Sequence, residues 1–196
     1  ITSALHANML WDMGHKGAGV RVAIFDTGLS ETHPHFKKVK ERSDWTNEKT
    51  LDDVNPNSNA LASVLIVVVV VVTRRLLSFS GGMLQELPGG YGRLKPDIVT
   101  YGSAVRGSNT QGGCRSLSGT SVASPVVAGV VALLYSAVAG RRAAGVVNPA
   151  SMKQALMASA RRLPGINMFE QGHGKLDLVR AYQVLSSYQP RAAPRR

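Results

Sequence analysis

LSGTSVASPVVAGVVALL, residues 117–134, joins a Ser/Thr/Gly turn to an apolar run of small residues interrupted by Pro125. Proline is favoured in the first turn of a helix, where its missing N–H has no partner to lose. The stretch therefore predicts a buried helix over Ser124–Tyr135, and Ala123, Ala128 and Gly129 would let its neighbours approach closely. Ser121 then stands on a tight turn just ahead of that helix, where backbone N–H groups and the helix dipole favour negative charge. A Ser/Thr-rich turn before a helix is also the ordinary make-up of an N-cap. Taken alone, the string leaves both readings open.

Working outward, Val20–Phe25 is a β-rich apolar run ending at Asp26, Thr27 and Gly28, which predicts a buried strand closed by a turn. Asp26 in that turn has a plain structural reading as well, bonding backbone groups of its own Asp-Thr-Gly turn. Residues 31–60 are polar and without sustained period, and read as surface loop. Leu61–Val72 is twelve residues of almost continuous apolar sequence with six consecutive valines. It has the β propensity of a strand buried on both faces, and it falls short of the roughly 20 residues that span a bilayer as a helix. Residues 80–120 are glycine-rich loop with one short strand at PDIVTYG. A second helix follows Asn148 and Pro149, with Met152, Leu156, Ser159 and Leu163 at helical spacing. A third spans about Lys175–Tyr188, and QPRAAPRR closes the chain as a basic tail over 191–196.

At 196 residues, 44% hydrophobic and 18% charged, the chain fits one globular domain and excludes fibrous or coiled-coil roles. The net charge of +11 would suit an acidic partner, but residues 141–196 carry ten basic and two acidic side chains and so hold most of it. The pairs Arg74–Arg75, Arg141–Arg142 and Arg161–Arg162 have no interleaved aromatics, so solvated faces account for them better than nucleic acid, and no nucleic-acid partner is expected. One cysteine, Cys114, rules out an internal disulfide framework and any multi-cysteine zinc site. No basic-then-apolar leader follows Ile1, so the chain reads as an internal piece or a processed product.

SGTSVASPVVAG resembles the nucleophile motif of the subtilisin-like serine proteases, and VAIFDTGL resembles the segment carrying their catalytic Asp. LKPDIVTYG is similar to the strand that approaches the nucleophile, and GHGKLDLVRAYQ, residues 172–183, to the helix that closes the catalytic domain. DTGLSETHPHF, ELPGGYG, NPASMKQAL and NMFEQGHGKLDL resemble a secretory-pathway branch of that family. The resemblance implies an α/β fold: a partial subtilisin-like doubly wound domain over residues 1–190, with a mostly parallel sheet flanked by helices. It implies a serine endopeptidase in which Ser121 is the nucleophile, its backbone N–H is part of the oxyanion hole, and Asp26 orients a histidine. It further implies protein or peptide substrates and the lumen of the endoplasmic reticulum or Golgi, with membrane association only through parts outside this chain. Calcium is implied by the family alone, and no cofactor is identifiable.

The departure from the family is equally specific. Its His-Gly-Thr motif, which carries the general base, occurs nowhere in the chain, and Asp26 and Ser121 are only 95 positions apart. The similarity breaks at residues 54–78, a low-complexity junction that resembles skipped exons or intron read-through. His6, His15, His33, His35 and His173 do not stand where the base is expected, and His33 and His35 follow Asp26 too closely. Asn55, Asn57, Asn59 and Asn109 match no oxyanion-hole context, and Cys114 reads as an unpaired loop cysteine. The alternatives to an active protease are therefore a catalytically incompetent truncated form and, resting on charge alone, a basic binding module.

Overall fold

The computed structural model describes residues 1–24, 26, 33–41, 95–109, 112–138, 140 and 145–189. The valine run, the 54–78 junction, Asn55, Asn57, Asn59, Arg74–Arg75, Arg141–Arg142 and the 191–196 tail lie outside them. The described elements are α1 (Ala7–Asp12), β1 (Val105–Ser108), β2 (Cys114–Leu117), α2 (Thr120–Ala137), α3 (Pro149–Ser159), α4 (Met168–Gln171) and α5 (Leu178–Ser187). They belong to two compact units, one made of Ile1–Arg21, Val67–Ser103 and Ser118–Arg196, the other of Val22–Ile66 and Ala104–Leu117.

The first unit is built on helices whose apolar stripes converge. α2 buries Ala123, Val127, Val130, Leu133 and Leu134, a helical stripe, and α5 buries Leu178, Ala181 and Leu185 at i, i+3 and i+7. α5 packs against α1, α2 and α3 and is the hub of this core. α2 is long and apolar enough to cross a membrane by length and composition, but its buried stripe belongs to this core. The helix expected after Asn148 and Pro149 is α3. Asn148 Oδ1 accepts from the N–H groups of Ala150 and Ser151, while Ser151 Oγ accepts from the Asn148 N–H, so a reciprocal capping box starts it. α5 is shorter than the expected 175–188, because Asp177 caps it, one oxygen accepting from Arg180 N–H and the other paired with Arg161.

α2 begins at Thr120, four residues ahead of the expected start at Ser124. The Gly119 carbonyl accepts from the N–H groups of Val122 and Ala123, which sets the helical path before the proline is reached. Pro125 lies inside the helix and has no N–H to offer the Ser121 carbonyl.

The expected strand PDIVTYG reduces to a bridge at Val99, which pairs in parallel with Lys175 through Val99 N–H to Gly174 O and Leu176 N–H to Val99 O. On its other edge Lys175 pairs antiparallel with Arg161. Gly174–Leu176 is thus the middle of three adjacent segments, with Ile98 and Leu176 buried beside it. The parallel pairing agrees with the expected sheet; the hairpin β1–β2, with Val105 opposite Leu117 and Ser108 opposite Cys114, was not anticipated. Val20–Ile24, expected as a buried strand, joins no ladder among the described residues, and Val22 and Ile24 are 58% and 68% exposed.

Candidate functional site

Ser121 lies in the first turn of α2 and is exposed to solvent. A helix of eighteen residues leaves its first N–H groups without intrahelical acceptors and concentrates partial positive charge there. Gly119 shapes the approach. Its backbone has φ +156°, and a Cβ on it would stand 3.4 Å from Ser121 Oγ. Its N–H donates to the Gly102 carbonyl at 2.8 Å, fixing the serine turn to the segment that follows the Val99 bridge. The hydroxyl thus sits in the first turn of a helix, with backbone N–H groups beside it, where negative charge is favoured.

Asp26 occupies an exposed bend in the second unit, whereas Ser121 belongs to the first. The histidines have other partners. His33 is 3% exposed; its Nε2–H donates to the Gly113 carbonyl at 3.0 Å, and its Nδ1 accepts from the His35 N–H at 3.1 Å. His35 Nδ1 and Ser108 Oγ are 2.7 Å apart. His173 Nδ1–H donates to the Asp97 carbonyl. The His15 ring faces Tyr182, with centroids 6.2 Å apart, and His6 is the left-handed residue preceding α1. Asn109 Oδ1 accepts from Gly113 N–H and closes the hairpin turn. Cys114 is an exposed thiol on β2. Among the described residues no three His, Cys, Asp or Glu side chains gather.

The sequence reading missed the staple behind the parallel bridge. Gly172, at φ +58°, passes so close to Pro96 and Asp97 that a Cβ would stand 1.9 Å from the Pro96 carbonyl oxygen. Gln171, 2% exposed, donates to the Leu163 and Ile166 carbonyls and accepts from Leu163 N–H, so the buried amide is satisfied. Asp97 binds Lys95 and Lys153, the second at 3.3 Å. The signal was present in GHGKLDL as two glycines flanking a histidine, but glycine spacing does not say which backbone is approached.

The family model described as the subtilase family matches residues 57–174, a span that contains Ser121 and begins after Asp26. The human membrane-bound transcription factor site-1 protease is 42% identical over 294 residues, covering 98% of this chain and 28% of that protein. The Arabidopsis thaliana subtilisin-like protease SBT6.1 is 34% identical over 295 residues, covering 98% and 28%. The chain therefore spans little more than a quarter of these relatives' length. An alignment of 294 residues against a chain of 196 leaves at least 98 aligned positions without a counterpart here. Among solved structures, the Clostridium perfringens CspB protease is 29% identical, with a TM-score of 0.43 over 47% of this chain and 20% of that one.

Proposed function

Because the chain belongs to the subtilase family, we propose that Ser121 and Asp26 are the nucleophile and the orienting carboxylate of a serine endopeptidase site acting on protein substrates. The observation that carries this reading is the placement of Ser121 in the first turn of α2, behind the Gly119–Gly102 hydrogen bond. Ser121 Oγ attacks the scissile carbonyl carbon, and its proton passes to a base as the C–O bond forms. The carbonyl oxygen takes the negative charge and is met by N–H groups at the start of α2, Ser121's own among them. The C–N bond then breaks, the amine leaves with the proton, and water repeats the sequence on the acyl-enzyme.

A serine hydroxyl is a weak nucleophile until an imidazole takes its proton, and Asp26 would fix the tautomer of that imidazole. The family's His-Gly-Thr motif is absent from this sequence, and His33, His35 and His173 are engaged elsewhere. Turnover by the chain as it stands is then limited by the missing base, which favours the incompetent truncated form as the second reading. The human relative's name as a membrane-bound protease supports a working place in the endoplasmic reticulum or Golgi lumen, on a parent protein anchored by other segments.

The test is chemical rescue. Free imidazole at rising concentration should accelerate acylation of Ser121 by an activated ester, or its phosphonylation by a fluorophosphonate with loss of fluoride, and Ser121→Ala should abolish the enzyme-dependent part. Acylation that is unchanged in Ser121→Ala, or that maps to Ser118, would overturn the assignment. Peptide hydrolysis without imidazole should be slower by about 10⁶-fold than with a complete triad, the order lost when the histidine is the missing member.

A further inference from the structure

We propose that Lys175 and Tyr101 are positioning residues for Ser121, forming a latch that holds the Gly102 carbonyl against the serine turn. The inference rests on the assignment of Ser121 as nucleophile above, and every residue in it belongs to the first unit. Gly102 O takes the Gly119 N–H at 2.8 Å, and the Gly119 carbonyl in turn accepts from the N–H groups of Val122 and Ala123. Ser121 lies between Gly119 and the two residues it caps, so its orientation follows from where the Gly102 carbonyl points. A glycine has no side chain to hold its own carbonyl and has wide backbone freedom. The restraint has to come from its neighbour, Tyr101.

Tyr101 is half-buried against the core, and Lys175 Nζ lies over its ring, 5.6 Å from the centroid and within the range of a cation–π contact. Nζ is also 3.5 Å from the Tyr101 hydroxyl oxygen, a long hydrogen bond that adds little. Among the described residues no carboxylate pairs with Lys175, and the Arg161 guanidinium across the bridge is neutralised by Asp177. The base of the latch is fixed by backbone. Lys175 exchanges N–H to carbonyl bonds of 2.7 and 2.8 Å with Arg161, while Gly174 and Leu176 on either side of it bond Val99 at 2.9 and 2.8 Å. Gly174, at φ +120°, runs so close to Arg161 that a Cβ would stand 2.3 Å from its carbonyl oxygen. Lys175 is therefore held from both edges and sets its cation on the residue next to the serine's anchor.

The experiment follows hydrogen exchange of the Gly119 amide by NMR in the full chain, with the Val138 amide, bonded to Leu134 at the far end of α2, as the reference for global opening. Lys175→Met keeps the length of the stem and loses the charge. It should speed Gly119 exchange relative to Val138 by about two- to fivefold, the factor carried by an exposed cation–π contact. Lys175→Arg, whose guanidinium also seats on an aromatic face, and Tyr101→Phe, which keeps the ring, should both retain the parent ratio. Imidazole-dependent phosphonylation of Ser121 should slow in Lys175→Met by the same factor and recover in Lys175→Arg. An unchanged ratio in Lys175→Met, an equal rise at Gly119 and Val138, or a Lys175→Arg as fast as Lys175→Met would overturn the latch. Should Lys175→Met lose its helical circular dichroism, the parent decides: nuclear Overhauser contacts between the Lys175 ε-methylene and the Tyr101 ring are expected, and their absence refutes the proposal. Phosphonylation that persists in Ser121→Ala overturns the nucleophile assignment, whereas Gly119 exchange reads the latch alone, so the two failures are distinguishable.

Discussion

Gly172→Ala tests whether the loop ahead of α5 is held by close backbone approach. An alanine at φ +58° and ψ −123° would lie in backbone space that glycine alone adopts readily, at a cost of at least about 1 kcal/mol in any surroundings. Here the new methyl would also stand 1.9 Å from Pro96 O and 2.6 Å from Asp97 O, distances that no side-chain rotation relieves because the obstructing atoms are backbone. The loop has to retreat, and the Asp97 carbonyl then loses the His173 N–H at 3.0 Å and the His173 Nδ1–H at 3.1 Å, about 1 kcal/mol each. Together these give a cost of at least about 3 kcal/mol, with more if the Val99–Lys175 bridge follows. Gly165→Ala is the control, since its φ of +73° also favours glycine but nothing lies within 4 Å of the new Cβ. Urea unfolding followed by far-ultraviolet circular dichroism should therefore separate the two variants by about 2 kcal/mol, or roughly 4–8 °C in Tm for a chain of this size. Equal costs in the two variants would refute the close approach and with it the account of the glycines in GHGKLDL.

Asn148→Ala removes both bonds that start α3 and should cost about 1 kcal/mol by thermal unfolding, while Asn148→Asp, which keeps the acceptor, should cost little. Thr100→Val has the opposite sign: Thr100 Oγ1 is buried with no hydrogen-bond partner among the described residues, so exchanging the hydroxyl for a methyl should leave stability unchanged or raise it by about 1 kcal/mol. A loss above that size in the same measurement would mean that the hydroxyl has a partner.

What the sequence made legible follows the range of the interactions that decide each feature. α3 was legible to within a residue of its start because Asn148, Pro149 and Ser151 lie within one helical turn of one another, but it ends at Ser159 and leaves Leu163 outside it. α2 was legible as an element, but its start was misplaced by four residues. Pro125 is a local signal, whereas the bond that anchors the start joins Gly119 to Gly102, seventeen positions away. The hairpin β1–β2 went unseen because Val105–Ser108 and Cys114–Leu117 are exposed or half-buried, with no alternation of apolar and polar residues to mark a strand. His33 carried no signal in the sequence for the same reason: its partner is eighty residues distant, and its tautomer is set by a neighbour's amide.

The two halves of the site divide along the same line. The environment of Ser121 is largely self-made, since a helix N-terminus generates its own donors and dipole wherever the helix forms. A carboxylate at a strand end depends on strands to either side, and the run leading to Asp26 has Val22 and Ile24 exposed where its apolar pattern expects burial. Burying either side chain is worth about 1.5–3 kcal/mol, so a chain that leaves both in water forgoes a sizeable fraction of the stability of an ordinary domain. At least 98 positions that the relatives align here have no counterpart in this chain. Loss of that much sequence accounts both for a strand pattern that joins no ladder among the described residues and for the absence of the family's His-Gly-Thr motif. Supplying imidazole replaces the proton acceptor and nothing else. A rescued rate that saturates well below that of a complete triad is therefore the expected outcome, and the shortfall measures what the absent walls and strands contribute to orientation.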